Sequence, residues 1–350
     1  MLTTTEPIPK PKVTAGDVEF VSVVIPCYNE ERFILKALDQ LSEQYDNNHY
    51  EIIIVDGMST DKTRDLVNQF KAEHPELEVR LVDNPARNIP TALNLGVAAA
   101  QGEIIARMDA HAVPSSGYVR RCVEVLHENK QAGVVGMPCH VLPGANTLMA
   151  QAIASGVSHP FGIGDAKYRL QAGAAPQEAV DTVAFACFRK ELWQDLGGFN
   201  ESLLTNEDYD FNYRVRNSGR VVLLDRSGHC DYFARTTLGE LATQYRRYGG
   251  WKARMVRLHP ASIKLRHFVA PVFVLSLVVL TILSVLWYPF ALLLGLEIGF
   301  YFAFALFCAW QVKSRTGSSL AIVLIMPWVF LTIHLTWGVS FLLGLVRQPK

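Results

Sequence analysis

The stretch 21-VSVVIPCYNEE-31 decides the fold, and 51-EIIIVDGMSTDKT-63 repeats its plan. Each opens with a short apolar run, which is typical of a strand buried on both faces, and closes with polar residues. Val21–Pro26 and Glu51–Asp56 are therefore predicted to be strands. The apolar residues of Asn29–Tyr45, which lies between them, recur at the spacing of a helix. A strand, a helix and a second strand in this order predict neighbouring parallel strands.

The same alternation continues along the first half of the chain. Strands are predicted at Val79–Asp83 and Glu103–Met108, and helices are predicted to end at Phe70 and to span Ala92–Ala100. This β-α-β-α order predicts an α/β fold with a mostly parallel, Rossmann-like, doubly wound sheet, whose ligands bind at the carboxyl ends of the strands. The later, less regular elements are strands at Val134–Leu142, Val183–Phe188 and Val221–Asp225, a helix at Glu207–Asn217 and a Gly/Ala-rich loop at Ser155–Ala175.

The distribution of charge divides the chain in two. The whole sequence carries 33 basic and 33 acidic residues, a balance that argues against a nucleic-acid-binding protein, which normally has a basic excess. The last part is mostly apolar and contains three segments, at about 268–287, 289–310 and 320–346, each long enough for the ~20 residues of a membrane-spanning helix. The predicted organisation is a polar tail at 1–20, a globular domain at 21–260 ending in a basic amphipathic stretch, and a membrane domain at 261–350.

The charged residues also predict an orientation. The first 20 residues lack the apolar core of a signal peptide, so the globular domain is expected to stay in the cytoplasm. Lys313 and Arg315 lie between the second and third apolar segments, and basic loops stay on the cytoplasmic side. Three spans then place the C-terminal tail outside, although Arg347 and Lys350 oppose that arrangement. The expectation is a multi-pass inner-membrane protein with a cytoplasmic globular domain.

Polar residues at the strand ends are candidates for a nucleotide site. No GxGxxG motif follows the first strand, which argues against a dinucleotide site. Asp56 and Glu30 carry carboxylates that can accept hydrogen bonds from uracil or from ribose hydroxyls. A favourable charge at a helix start explains Glu30 equally well, and a turn or helix cap is the alternative for Asp56.

Asp109 and His111 directly follow the predicted strand that ends at Met108. In an extended segment, side chains two residues apart point the same way, so this pair can share a divalent cation. Oxygen ligands favour Mg²⁺, whereas an imidazole moves the preference toward Mn²⁺. A surface turn explains the same two residues when they are considered alone.

Three carboxylates, those of Glu207, Asp208 and Asp210, lie at the start of a predicted helix. Such a cluster suits a general base whose pKa is raised by its neighbours. Acidic residues also favour a helix N-terminus for purely electrostatic reasons, so the cluster alone does not establish a base.

The stretch Thr236–Leu258 is basic and contains several aromatic residues. The forked donors of Arg247 can grip a diphosphate. A basic amphipathic helix that lies at the lipid headgroups is an equally good explanation for Arg246 and an alternative for Arg247.

Together, the ordered motifs resemble family 2 of the inverting glycosyltransferases, whose members have the GT-A fold. The similarity covers roughly residues 20–250, and it is closest to bacterial exopolysaccharide enzymes of the succinoglycan type, which also carry C-terminal spans. The matching stretches are VSVVIPCYNEE, EIIIVDGMSTDKT, the segment from Arg87 to Gly96, ARMDAH, FRKELWQDLGGFNE and TNEDYDFNYRVRNSG.

The resemblance implies a role for each candidate residue. Asp56 matches the uracil-binding aspartate, Asp109 the first residue of an Asp-x-Asp metal motif in which His111 replaces the second aspartate, and Asp208 the catalytic base. Gln244…Arg247-Tyr248 is similar to the Gln-x-x-Arg-Trp motif of processive synthases. The predicted site comprises catalytic residues Asp208 and Glu207, nucleotide-sugar-binding residues Pro26, Tyr28, Glu30, Asp56, Arg87, Asn94, Asp109 and Arg247, and metal ligands Asp109 and His111, with Mg²⁺ or Mn²⁺ as the cofactor.

The resemblance also implies an activity. It favours an inverting, metal-dependent hexosyltransferase that moves glucose from UDP-glucose to a lipid-linked saccharide in bacterial exopolysaccharide or cell-surface glycan synthesis. The tyrosine in place of tryptophan argues against a polymer-extruding synthase. The implied partners are the UDP-hexose donor, the lipid-linked acceptor, membrane lipids and a polysaccharide-biosynthesis complex.

Two alternatives to this activity remain open. One is direct transfer to polyprenyl phosphate or to a membrane glycolipid, which the same motifs would serve. The other is an inactive scaffold that binds a sugar nucleotide, against which the candidate base and cation site count.

Overall fold

The structure is a computed structural model that describes residues 19–170 and 175–347. The strands within these ranges are β1 (Val21–Cys27), β2 (Tyr50–Asp56), β3 (Glu78–Asp83), β4 (Ile104–Arg107), β5 (Val113–Pro114), β6 (Ala132–Gly136), β7 (Cys139–Leu142), β8 (Gln177–Ala179), β9 (Cys187–Arg189), β10 (Val221–Asp225) and β11 (Cys230–Phe233). The α-helices within them are α1 (Ile34–Ser42), α2 (Thr63–Glu73), α3 (Ile89–Ala99), α4 (Tyr118–Glu128), α5 (Leu148–Gly156), α6 (Pro160–Ile163), α7 (Lys190–Asp195), α8 (Glu207–Asn217), α9 (Leu238–Leu258), α10 (Arg266–Leu286), α11 (Tyr288–Thr316) and α12 (Leu320–Val346).

The main sheet confirms the predicted α/β architecture. In the described ranges its strand order is β3-β2-β1-β4-β9-β6-β10-β8, and β3, β2, β1 and β4 pair in parallel. Every residue of β2 is buried, as expected for a strand covered by helices on both faces. The carboxyl ends of β1, β2 and β4 therefore share one edge, where Asp56 and the segment after Arg107 lie.

The second half of the sheet departs from the predicted strands. Val134–Leu142 is not one strand but two, because Pro138 lies between β6 and β7 and has no N–H to donate to a ladder. β7 instead joins β11 and β5 in a small second sheet. The predicted strand Val183–Phe188 shortens to β9, which runs antiparallel to both β4 and β6. The predicted loop Ser155–Ala175 contains the end of α5 and all of α6.

Three C-terminal helices, α10, α11 and α12, are long and apolar enough to cross a membrane, with mean hydropathies of 2.7, 2.1 and 2.0. α10 and α11 form an antiparallel hairpin in which Phe273 stacks on Tyr301 at 4.6 Å between ring centroids. The second predicted segment was too short, because α11 continues to Thr316 and includes Lys313 and Arg315 in its last turns.

Candidate active site

A cavity of about 560 Å³ lies beside the carboxyl end of β4. One end of the cavity is formed by the segment after β4 and the start of α8, with Asp109, Glu207 and Asp208. Its opposite end reaches the membrane-candidate helices at Ala270 of α10 and Trp337 of α12. One continuous space thus joins the predicted catalytic carboxylates to the apolar part of the protein.

Arg107 links the two acidic segments of the site. It is the last residue of β4, it is largely buried, and its guanidinium lies 2.8 Å from Asp109 Oδ1 and 3.8 Å from Glu207 Oε1. A buried arginine between two carboxylates compensates part of their charge and fixes their separation. The only signal for Arg107 in the sequence is its position within an apolar strand, two residues before Asp109.

Glu207 and Asp208 begin α8, as predicted, and both line the cavity. Burial, together with the neighbouring charge of Asp208, raises the pKa of Glu207 from 4.5 to about 8. Glu207 is therefore mostly protonated at neutral pH and is a poor proton acceptor there. Asp208 accepts a hydrogen bond from the Tyr209 backbone N–H at 2.6 Å through Oδ1. Within the described ranges, no donor contacts its Oδ2, which leaves that oxygen available to take a proton.

The raised pKa of Glu207 predicts a dependence of stability on pH. A carboxyl group with a raised folded-state pKa stabilises the folded protein at low pH, and this contribution is lost as pH rises from 4.5 to about 8. Glu207→Gln keeps the neutral form at every pH. We expect the melting temperature of the wild type to fall by a few degrees relative to Glu207→Gln between pH 5 and pH 8.5. Thermal unfolding of both proteins across that range checks this, and parallel curves would contradict the assigned shift.

Asp210, the third carboxylate of the acidic cluster, is hydrogen-bonded to other side chains. Asp210 is fully buried and accepts hydrogen bonds from Arg214 at 2.8 Å and from His259 at 2.9 Å. These contacts tie α8 to itself and to the end of α9. Asp210 is absent from the cavity wall, so it is a structural residue and not a competing base.

Asp109 and His111 both line the cavity, but in a turn and not in the extended segment that the spacing argument assumed, because the Ala112 N–H donates to the Asp109 carbonyl at 3.0 Å. His111 Nδ1 lies 3.2 Å from Glu30 Oε1, and this hydrogen bond raises the pKa of the imidazole. A carboxylate and an imidazole on one wall fit a Mn²⁺ or Mg²⁺ ion that takes its other ligands from phosphate oxygens and water. Glu30 would then orient the imidazole ring from behind, a usual arrangement for a metal-binding histidine.

A second group of side chains that could hold a metal ion, His140, His229 and Asp231, lies outside the cavity. His140 Nδ1 is 2.8 Å from Asp231 Oδ1, and His229 Nε2 is 3.6 Å from the same oxygen. The neighbours Cys139 and Tyr232 line the cavity, so alternation along β7 and β11 directs His140 and Asp231 to the opposite face of the small sheet. A cation there would not reach a diphosphate held beside Asp109.

The Gln244…Arg247-Tyr248 motif lies on α9, and all three residues line the cavity. Arg247 donates from Nε to Thr205 Oγ1 at 2.7 Å, which directs its guanidinium beside the start of α8. Gln244 donates to the hydroxyls of Tyr232 and Tyr248 at 2.9 and 3.1 Å. Arg246 and Arg247 are both exposed, but only Arg247 lines the cavity.

Arg169 is a second cation of the wall that the sequence did not indicate. It follows α6, inside the segment predicted to be an irregular loop, and its guanidinium lies 5.5 Å from the ring centroids of both Tyr168 and Tyr232. No carboxylate of the described residues pairs with it. A half-buried arginine beside aromatic rings suits an anionic ligand that pairs with its charge.

The other predicted donor-binding residues lie beyond this cavity. Asp56 is buried at the end of β2, where it accepts from Ser59 and forms an ion pair with Arg64 at 2.7 Å. Asn94 uses its amide to bond the backbone of Phe199 and the Glu201 carboxylate. Their contacts with a nucleotide sugar stay predictions, as do those of the remaining members of the set, Pro26, Tyr28 and Arg87. Tyr28 and Arg87 are exposed at the same edge of the sheet.

The membrane end of the cavity contains a buried amine. Lys252 of α9 is 4% exposed, and its Nζ lies 3.0 Å from the ring centroid of Tyr209. Among the described residues, no carboxylate or hydrogen-bond acceptor pairs with it. Burial, reinforced by the nearby charge of Arg266, holds the pKa of this amine well below its ordinary value. An anionic group in the cavity would restore its charge.

Comparison with known proteins gives a consistent family. The sequence profile of glycosyl transferase family 2 matches residues 22–197, which is about half of the chain. The chain is 32% identical to succinoglycan biosynthesis protein ExoA from Rhizobium meliloti over 258 residues, covering 71% of this chain and 75% of that protein. It is 26% identical, over 69% of its length and 75% of the relative, to a dolichyl N-acetyl-alpha-D-glucosaminyl phosphate 3-beta-D-2,3-diacetamido-2,3-dideoxy-beta-D-glucuronosyltransferase from Methanococcus voltae.

Comparison with solved structures supports the fold. The mannosyltransferase PcManGT from Pyrobaculum calidifontis, solved in complex with GDP-Man and Mn²⁺, superposes with a TM-score of 0.61 and 19% sequence identity. The alignment covers 96% of this chain and 89% of that one, so it includes the C-terminal helices as well as the sheet. The likeness identifies the GT-A fold that the sequence motifs predicted.

Proposed function

Because the chain belongs to glycosyl transferase family 2, we propose that it is a membrane-anchored inverting transferase whose acceptor is a lipid-linked saccharide. The observation that carries this proposal is the continuous cavity that runs from Asp109 and Asp208 to α10 and α12. A site that served only soluble acceptors would have no need to open toward the membrane-candidate helices. Relatives named for succinoglycan synthesis and for a dolichyl phosphate-linked sugar support a lipid-linked acceptor.

The cavity contains a residue for each step of inverting transfer. The acceptor hydroxyl oxygen attacks the anomeric carbon from the face opposite the diphosphate, and the Asp208 carboxylate takes the hydroxyl proton. The bond between the anomeric carbon and the diphosphate oxygen breaks, and its electron pair leaves with the diphosphate. Arg247 and Arg169 line the same space and compensate the charge that develops on the leaving group.

We assign Asp109 and His111 to the cation of the donor. A bound Mn²⁺ or Mg²⁺ would neutralise diphosphate charge and so make it a better leaving group. Arg107 holds the Asp109 carboxylate in place, and Glu30 holds the imidazole. Asp56, Pro26, Tyr28, Arg87 and Asn94 are proposed to form the nucleotide part of the donor site, with a UDP-hexose, and UDP-glucose in particular, as the donor.

Lys252 supports an acceptor that carries phosphate. The amine lies at the membrane end of the cavity, on the route from the lipid to Asp208, and it has no anionic partner among the described residues. A lipid-linked saccharide carries a phosphate or diphosphate between its lipid and its sugar, and that group would pair with the amine. The same chemistry fits direct transfer to polyprenyl phosphate, the second candidate function, and analysis of the lipid product separates the two.

The test is a screen of the full-length protein in vesicles that contain bacterial lipid extract. UDP-glucose, UDP-galactose, UDP-N-acetylglucosamine and GDP-mannose are offered in turn, and the released nucleotide is measured. We expect release that depends on the extract for at least one UDP-sugar. Lys252→Met should raise the KM for the extract and leave the KM for the donor unchanged, whereas Arg246→Met, which removes an exposed charge from the same helix, should change neither. No release with any donor would contradict the proposal.

We further propose that residues 21–260 form the catalytic domain and that it lies on the cytoplasmic side, anchored by the membrane domain at 261–350. Nucleotide sugars are cytoplasmic metabolites, and the basic residues at the end of α11 favour the same side. Association with other polysaccharide-biosynthesis proteins would supply the lipid-linked acceptor.

A further inference from the structure

The α10–α11 hairpin has a closed end and an open end. The two helices are joined at Trp287, and Ser276 hydrogen-bonds Glu297 farther along the pair. The open end comprises the start of α10 and the last turns of α11. Arg266 there forms ion pairs with Asp165 and Asp181 of the globular domain, so the open end faces that domain.

α12 begins at this open end. α11 ends at Thr316 and α12 starts at Leu320, so three residues connect them. Ile322 and Val323 of α12 belong to the same buried cluster as Cys308 and Ala309, in the second half of α11. The first turns of α12 therefore lie at the level of the last turns of α11.

α12 also ends near the open end. Gly338 packs on the second turn of α10, where an added Cβ would lie 2.7 Å from the Ala270 carbonyl oxygen. The Leu345 carbonyl accepts from Arg257, in the last turn of α9, at 3.5 Å. A helix that crossed the membrane beside the hairpin would bring one of its ends to the closed end at Trp287, and α12 does not.

The neighbour of α12 is a charged helix. Gly249 of α9 packs so closely on α12 that an added Cβ would lie 3.0 Å from Ser340 Cβ. Likewise, a Cβ added at Gly344 of α12 would lie 2.8 Å from Ala253 Cβ of α9. The two helices thus run side by side in the same direction. α9 carries Arg246, Arg254 and Arg257 along its length, and the hydrocarbon core would not accept them.

We propose that α12 lies along the cytoplasmic surface of the membrane and that only α10 and α11 cross it. One face of α12 covers α9 and the cavity, to which it contributes His334 and Trp337. The lipid leaflet is the partner of the other face, because this apolar surface continues that of the hairpin. The exposed large apolar residues of α12 are Leu320, Leu324, Trp328, Val339, Leu343, Leu345 and Val346.

This arrangement replaces the three-span topology expected from hydropathy. Both ends of α12 stay on the side of the globular domain, so the tail is cytoplasmic. Arg347 and Lys350, which opposed an external tail, then obey the preference of basic residues for the cytoplasmic side. Hydropathy did not distinguish the two arrangements because α12 is apolar on both faces, one toward protein and one toward lipid.

Depth in the bilayer tests the orientation of α12. Single cysteines at Leu324, Thr332, Val339 and Leu343 of the full-length protein are labelled with an environment-sensitive fluorophore in phosphatidylcholine–phosphatidylglycerol vesicles, with the unsubstituted protein as the labelling blank. Lipids with a nitroxide at the headgroup or deep in the acyl chain then quench the label. All four sites should be quenched more strongly by the shallow nitroxide. Matched sites lie on α11 at Leu292, Leu296, Phe300 and Phe307. Because α11 crosses the bilayer, the sites near its middle should be quenched more strongly by the deep nitroxide, and those near its ends by the shallow one.

Sidedness gives an independent readout. Tyr288→Cys places a thiol at the closed end of the hairpin, and Lys350→Cys places one on the tail. We expect a membrane-impermeant thiol reagent to reach them from opposite sides of sealed membranes. Labelling of both from the same external side, or deep quenching at Thr332 with shallow quenching at both ends of α12, would overturn the proposal. Neither measurement depends on activity, so a failed transferase assignment would leave this result interpretable.

Discussion

Replacing Asp208 by asparagine is expected to slow sugar transfer by about 10²–10⁴-fold, the usual cost of losing a general base. Asparagine keeps the shape of the side chain and can still accept the Tyr209 N–H, but it cannot take the acceptor proton. Glu207 is a poor substitute for it, because burial, the largest cause of its raised pKa, persists in the variant. Donor affinity should stay close to that of the wild type, because the proposed role of Asp208 concerns the acceptor.

The measurement determines UDP-sugar affinity and transfer rate on the same Asp208→Asn preparation. Asp195→Asn, which removes one exposed carboxylate at the end of α7, is the matched control and should transfer normally. Near-normal transfer by Asp208→Asn would exclude it as the base. A loss of donor affinity as large as the loss of rate would instead assign Asp208 to the donor site and make Glu207 the next candidate.

Removal of the divalent cation is expected to abolish transfer, and Mn²⁺ or Mg²⁺ should restore it. Asp109→Ala should lower turnover by roughly 10²–10³-fold, as is typical when one electrostatic contact to a developing charge is lost. It should weaken UDP-sugar binding as well, because the cation contacts the donor before and during the reaction. The substitution also leaves Arg107 without its closest carboxylate. Chelation of the unsubstituted protein therefore tests the role of the cation without changing any residue.

The second metal-binding group supplies the control for this experiment. Asp231→Asn alters the cluster of Asp231, His140 and His229, on the other face of the small sheet, and should leave both metal dependence and transfer unchanged. Loss of metal-supported transfer in Asp231→Asn with full activity in Asp109→Ala would move the cation to that cluster. Full activity in excess chelator would exclude a catalytic cation altogether.

The fold could be predicted where the physical signal is local. VSVVIP and EIIIVD are short apolar runs typical of strands covered on both faces, and β1 and β2 follow them closely. The second half of the main sheet was harder to predict, because strands that pair there are not neighbours in the sequence. β9 enters between β4 and β6 with reversed direction, and a three-residue strand gives no periodicity from which to predict that.

The candidate site also divides into residues with a local sequence signal and residues whose role depends on distant contacts. Carboxylates at strand and helix ends were visible because ligands bind at the carboxyl ends of strands in a doubly wound sheet, and Asp109, Glu207 and Asp208 do line one cavity. Arg107, Arg169 and Lys252 were overlooked because their significance depends on their surroundings. Arg107 lies between two carboxylates, Arg169 lies beside aromatic rings, and Lys252 is buried without an acidic partner among the described residues. Such surroundings arise only when distant segments pack together.

The most direct test of the account is the linkage in the product. Vesicles with the full-length protein, a radiolabelled α-linked UDP-sugar and lipid extract are separated by solvent extraction, and the anomeric configuration of the transferred sugar is determined by digestion with α- and β-specific glycosidases. In-line attack with Asp208 as the base predicts label in the lipid fraction, released only by the β-specific enzyme and formed about 10²–10⁴-fold more slowly with Asp208→Asn. An α-linked lipid product, or label confined to free sugar, would contradict inverting transfer to a lipid-linked acceptor.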